Sequence, residues 1–252
     1  MGANMDLSNK LISAARSLCN RARTQDIRIG LGYTCVELSD GRAGLAATPR
    51  LEPYSSCTKL RSAGTLLGMQ AEELLEDLAC SIPLQRAVAL AVCNALNMEV
   101  QREYIRKEAT ELLGIQEADH VVMVGHFAPL VPRIKACGCR LDIVEQDPAK
   151  PGITDPEQGL VLLAQCDVAV ITSTSIINGT ADQLLGRLQK ARQAVMLGPS
   201  TPLFPEAFAG TGITQLSGSR VLDSESVKNI VSQGGGTKLL KKHLEFVSLP
   251  IS

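Results

Sequence analysis

Four polar segments carry the chemistry this sequence offers, and each follows a run of apolar residues. The first is Gly125-His126-Phe127-Ala128-Pro129-Leu130-Val131-Pro132. A glycine there permits a tight turn into a helix whose N-terminus can face an anion. His126 brings an imidazole that can act as acid, base or metal ligand near neutral pH, or simply line a pocket. The second is Glu145, placed after the next apolar run as are the acids that bind ribose hydroxyls in dinucleotide-type folds. It can equally be a solvated strand end. The third is Thr172-Ser173-Thr174-Ser175-Ile176-Ile177-Asn178-Gly179-Thr180, dense in hydroxyls and amides. Ser173, Thr174 and Asn178 are its ligand candidates, whereas Thr180 reads as a helix N-cap. The fourth is Gly198-Pro199-Ser200-Thr201-Pro202, where two prolines stiffen a loop around the hydroxyls of Ser200 and Thr201. Asn94, on an otherwise apolar stretch, must find partners for its amide, in the packing or in a ligand site.

Several chemistries are absent from the pattern. There is no G-x-G-x-x-G, and Gln233-Gly234-Gly235-Gly236-Thr237-Lys238 lacks the order of a P-loop, so its glycines are expected to end a helix. No Ser or Cys stands at a recognisable spacing from His126, which leaves a hydrolase triad unsupported. The histidines number three (120, 126 and 243) and the eight cysteines are scattered, with only Cys137 and Cys139 close. That pair is too tightly spaced for a zinc knuckle, so free, mostly buried thiols are expected. The net charge of −1 gives no footprint for nucleic acid. Trp is absent and aromatics make up 3%, against base-stacking platforms and membrane aromatic belts. No apolar window reaches membrane-span length, and Met1–Ser17 lacks signal-peptide character, so a reducing, cytoplasmic setting is expected.

The elements that must position these residues divide the chain in two. Its 252 residues suit one large or two modest domains. Helical spacing covers about 6–24, and Ser39-Asp40-Gly41 reads as a hairpin turn between alternating strands. A loop is expected over 49–64 and a helix over 70–79. Ser81 is a candidate cap for a helix beginning at Pro83 that is apolar nearly all round, hence buried. A further amphipathic helix is expected over 99–113, closed by Gly114. Beyond it, strands at 120–124, 140–144, 167–171 and 194–197 alternate with helical stretches, including 180–191, and a further helix follows at 224–232. That alternation implies a mainly parallel sheet covered on both faces. The fold class is therefore α/β, with an α+β domain over 1–110 and an α/β domain over 111–252.

With these residues in hand, the chain resembles an uncharacterised family described as putative heavy-metal chelation proteins. The motifs behind the likeness are VGHFAPLVPRI, VEQDP, TSTSIINGT, GPSTPLFPEAF, VKNIVSQGGGT and AVCNALN, in family order over most of the chain. The resemblance implies an enolase-N-terminal-like α+β domain followed by a Rossmann-like domain similar to methyltransferase cores, with a ligand cleft between them. Carried onto this chain, that cleft holds Gly125, His126, Phe127, Glu145, Thr174, Asn178, Gly198 and Ser200. Asn94 and the loop 54–64 would contribute from the first domain.

Three functions follow from these readings. One is a protein that binds or processes a metal chelator, or a metal-loaded pterin-like or tetrapyrrole-like compound. With so few histidines, its metal would arrive already chelated. The second is an enzyme using a nucleotide or S-adenosylmethionine, an adenosine-containing cofactor held through Glu145. The third is non-catalytic: a small-ligand sensor or an assembly subunit. A homodimer is the expected assembly, since twofold dimers are the commonest oligomers.

Overall fold

The computed structural model describes residues 6–50, 58–107, 109–147 and 149–251. It is a mixed α/β fold built on two sheets, a three-stranded antiparallel one and a six-stranded, mostly parallel one.

Helix α1 (Leu7–Arg16) starts at Asp6, whose carboxylate accepts the Asn9 N–H, and buries Leu7, Leu11, Ile12 and Ala15 on one stripe. It stops well short of residue 24, because Asn20 and Arg21 take left-handed backbone conformations that no helix continues through. The small sheet follows as β1 (Thr24–Ile29), β2 (Tyr33–Leu38) and β3 (Ala43–Ala47), with Ser39-Asp40-Gly41 in the β2–β3 turn. In β2, Val36 and Leu38 join the main core while Cys35 joins a second cluster on the opposite face, as the two-residue period of a strand requires. Of the loop expected over 49–64, residues 51–57 lie outside the described residues.

Helix α2 (Ala71–Glu76) leads to α3 (Pro83–Asn97), which is buried from Ala87 to Asn97 and lies against β2 and β3. Pro83 occupies its first turn, but the N-cap is Ile82 rather than Ser81, and no side chain caps it. The expected helix over 99–113 shrinks to α4 (Ala109–Leu112). The segment before it is extended instead, because the Ile105 N–H and C=O exchange 2.9 Å hydrogen bonds with Ser248.

The large sheet runs β5-β4-β6-β7-β8-β9. Its strands are β4 (His120–Val124), β5 (Arg140–Val144), β6 (Val168–Thr172), β7 (Gln193–Leu197), β8 (Gln215–Val221) and β9 (Leu244–Pro250), and only β9 is antiparallel to its neighbour. One face meets Ile134 of α5 (Val131–Ala136) through Val121, Met123 and Val170. The other meets Leu160 and Leu163 of α6 (Pro156–Leu163) through Val122, Ala169 and Ile171. The helix expected over 180–191 is the shorter α8 (Ala181–Leu185), and α7 (Thr174–Asn178) precedes it across Gly179, which lies in the left-handed region. Thr180 precedes α8 but makes no side-chain cap bond. After α9 (Pro205–Phe208), helix α10 (Ser224–Ser232) covers the outer face of the small sheet. Its end is a Schellman motif: Gly234 N–H bonds Val231 C=O and Gly235 N–H bonds Ile230 C=O. The glycine run therefore closes a helix before α11 (Thr237–Leu240).

One hydrophobic cluster runs without a break from α1 and α3 into the large sheet. The junction is tied by buried amides. Asn94 Nδ2 donates to the carbonyls of Leu45 (2.9 Å) and Ser200 (3.1 Å), and Asn97 Nδ2 donates to Leu203 (2.9 Å). The Ser200 hydroxyl accepts the Ala47 N–H at 2.7 Å.

Candidate functional site

The site lies where the strand order reverses. The chain leaves β4 for β5 on one side and returns to β6 on the other, so a crevice opens over the carboxyl ends of β4 and β6. Gly125 makes this possible. Its φ of +88° turns the chain off the sheet, and a Cβ there would sit 2.9 Å from Thr172 Cβ. The crevice holds a cavity of about 500 Å³ lined by Gly125, His126, Phe127, Glu145, Thr174 and Asn178, among others.

Glu145 is the organising charge. It is 9% exposed, and its carboxylate accepts the His126 N–H at 3.0 Å, the Asp147 N–H at 3.1 Å and the Lys150 ammonium at 3.1 Å. Burial opposes its ionisation, but the Asp147 and His126 amides and the Lys150 ammonium outweigh that and hold its carboxyl below the usual value. Both oxygens are thus engaged in fixing the turn that follows β4. Glu145→Ala is expected to cost about 2–3 kcal/mol of stability, since it strands two backbone donors. Urea unfolding measures this. A carboxyl depressed in the folded state stabilises at pH values above its ordinary 4.5 and loses that contribution as pH falls through its lowered value. The difference between the native chain and Glu145→Ala should therefore shrink in acid, and a difference that grows there would refute the assignment.

The remaining lining is neutral, with polar groups set among apolar side chains such as Val124, Val144 and Leu160. Thr172 and Thr174 hydroxyls pair at 2.9 Å, and Asn178 Oδ1 accepts from the Thr180 hydroxyl at 2.8 Å. No hydrogen bond or ion pair holds the His126 ring, the Gln183 amide or the Thr154 hydroxyl among the described residues, so these groups are open to the cavity. The other two histidines are occupied elsewhere: His120 Nε2 pairs with Asp142 (2.8 Å) and His243 Nδ1 with Asp223 (3.1 Å). Tyr33 of β2 reaches across and its hydroxyl meets that of Thr237 at 2.6 Å, so the small sheet and α11 close one side of the cavity.

Four of the sequence candidates are packed away from this cavity. Ser173 is 1% exposed, with its N–H on the Leu197 carbonyl, while Asn94 and Ser200 join the two sheets. Thr201 is buried with its hydroxyl unpartnered. Gly198 lines a neighbouring cavity of about 670 Å³. Conversely, sequence reasoning missed Tyr33, Lys150, Thr154, Gln183 and Thr237, which line the crevice from segments far apart in the chain.

Among the described residues no three His, Cys, Asp or Glu side chains gather where they could hold a metal ion. Seven described cysteines are free thiols. Burial pushes Cys35 up to about 12 and Cys166 up to about 11, which keeps both protonated at neutral pH.

Two family models match this chain, both described as putative heavy-metal chelation: DUF364 over residues 108–250 and DUF4213 over residues 12–97. An uncharacterized protein of Methanocaldococcus jannaschii is 26% identical over 228 residues, covering 86% of this chain and 85% of its own. A DUF364-family protein of unknown function from Pyrococcus horikoshii superimposes with a TM-score of 0.84 at 22% identity, over 98% of this chain and 100% of that one. Another, from Desulfitobacterium hafniense, gives 0.77 at 21% identity, over 96% and 98%.

Proposed function

We propose that this chain, which belongs to the DUF364 family described as putative heavy-metal chelation, binds a small metal chelator, or its metal complex, in the crevice above β4, β5 and β6. The observation that carries the reading is the cavity lining. It presents one unpaired imidazole, His126, with neutral hydrogen-bonding groups and one ion pair, Lys150 with Glu145. Such a lining suits a polar molecule that brings its own donor atoms to the metal. Pterin-like and tetrapyrrole-like compounds are the classes that fit this description within the proposal. The reading takes residues 1–110 as an enolase-N-terminal-like domain and 111–252 as a Rossmann-like domain, with the crevice as their shared cleft. The switch-point position of the cavity supports it. Gly125, His126, Phe127, Glu145, Thr174 and Asn178 are its site residues, with Gly198 at the margin.

An adenosine-containing ligand is the second reading, favoured by the position of Glu145 at the end of the strand next to β4. The engagement of both Glu145 oxygens by backbone amides and Lys150 weighs against it.

Calorimetric titration separates the two. Zinc, nickel and ferric ions, pterin and tetrapyrrole chelators, their metal complexes, and S-adenosylmethionine are the titrants. A chelator or complex is expected to bind with micromolar affinity or better. His126→Ala should weaken it about tenfold, the equivalent of one net hydrogen bond. Binding of S-adenosylmethionine alone would replace the first reading with the second. Binding that ignores His126 would move the ligand out of this cavity.

A further inference from the structure

The larger, neighbouring cavity of about 670 Å³ opens on the other side of the His126–Phe127 turn, over the carboxyl end of β7 and the middle of β8 and against β9. The two cavities share Tyr33, His126, Phe127 and Thr237, so they form one cleft divided by a turn. Their walls differ in kind. In the second cavity the buried polar atoms satisfy one another. Gln215 Nε2 donates to the Ala109 carbonyl (3.3 Å) and to the Ser217 hydroxyl (2.8 Å), which meets the Ser248 hydroxyl at 2.7 Å. What faces the space is largely apolar: Phe127, Pro129, Leu130, Leu197 and Phe246, the last 41% exposed. The lining also includes three cations. Arg106 is paired with Glu245 at 2.7 Å. Lys107 and Lys241 are exposed and have no ion-pair partner among the described residues.

We infer that this second cavity is a subsite for a flat, apolar body bearing an anionic group, with Phe127 and Phe246 as its apolar contacts and Lys107 and Lys241 as its counter-charges. Aromatic edges and faces supply contact area at small entropic cost, and two unpaired ammonium groups favour a carboxylate, sulfonate or phosphate. The inference rests on the chelator reading in one respect: it treats the two cavities as holding two parts of one ligand. The occupant is then a molecule with a polar, metal-binding head and an aromatic acid tail, and the His126–Phe127 turn lies between them.

The test uses the full chain and two probes of similar shape: anilinonaphthalene sulfonate, an aromatic anion, and phenylnaphthylamine, its neutral counterpart. Fluorescence titration should show the anion binding tighter than the amine, with an affinity that falls as salt is added. Lys107→Gln combined with Lys241→Gln should weaken the anion about tenfold and leave the amine within about twofold. Both lysines are exposed, so the variant keeps its core. Equal affinities for the two probes, or an anion affinity unmoved by the double substitution, would overturn the subsite. The two proposals fail separately. Absent chelator binding with lysine-dependent anion binding removes the first reading alone, whereas chelator binding with lysine-independent anion binding removes only this one.

Discussion

Gly44→Ala is expected to cost about 3–5 kcal/mol and to leave most of the chain unfolded or insoluble. The reason is space rather than backbone conformation. Gly44 is the second residue of β3 and stands directly against α3, and a methyl group there would lie 2.1 Å from the Ala91 carbonyl oxygen and 2.3 Å from the Ala95 nitrogen. Both atoms belong to helix backbone, which cannot swing aside as a side chain can. Relief requires β3 to lift off α3. That movement would break the 2.9 Å bond from Asn94 to the Leu45 carbonyl and open the contact that buries Ala46, Leu90 and Ala91. The cost then combines lost apolar burial with unsatisfied buried polar groups. Gly41 is the control. It has a φ of +86° in the turn before β3, with open space around it, so alanine there should cost about 1 kcal/mol from conformation alone. Urea unfolding of the two variants measures both effects. A Gly44→Ala chain within about 1 kcal/mol of the native one would show that β3 does not rest on the α3 backbone.

Gly44 also marks where reading the sequence stops. The pattern around it shows strands and a turn, and the unbroken apolar run of α3 shows a buried helix, but nothing in either shows that the two touch backbone to backbone. The strands β4 and β6 are legible because buried parallel strands are short apolar runs. Strands β8 and β9 are not, because their interior includes Ser217 and Ser248, each satisfied by the other across the pair. Polar residues that pair with one another look like a loop until the partner strand is known. The same holds for 101–107, where pairing of Ile105 with Ser248 overrides a helical pattern. At the site, Gly125 and Glu145 are visible through strand-end position and glycine chemistry. Tyr33 and Thr237 are not, since only the packing of α10 and α11 on the small sheet brings residues that far apart in sequence to one cavity.

That packing leads to the second large effect: Lys228→Met is expected to destabilise the chain by about 3–4 kcal/mol. Lys228 is 7% exposed on α10, and its ammonium hydrogen-bonds the carboxylates of Glu37 and Glu225 and lies 3.6 Å from Asp26. Burial disfavours its charge, but the Glu225 and Glu37 carboxylates outweigh that and raise its pKa. Methionine matches the stem and removes the charge, leaving Glu37 half-buried with the Ser224 hydroxyl as its remaining hydrogen-bond donor among the described residues. A raised lysine pKa gives stabilisation that is complete below the ordinary 10.5 and is lost only as pH rises through the higher folded value. Asp26 behaves oppositely. The Arg28 guanidinium, with help from Lys228, holds its carboxyl below 3.8, so its contribution is present above that pH and lost as pH falls through the lowered value. The gap between native and Lys228→Met stabilities should therefore be flat between about pH 6 and 9 and should narrow in strong acid. Adding Glu37→Leu should recover much of the loss, since the penalty is that of a stranded carboxylate rather than of missing attraction. If Lys228→Met proves as stable as the native chain, then α10 is held mainly by its apolar face, Val227, Ile230 and Val231, and the Tyr33–Thr237 contact that both cavities share depends on apolar packing rather than on a charged clamp.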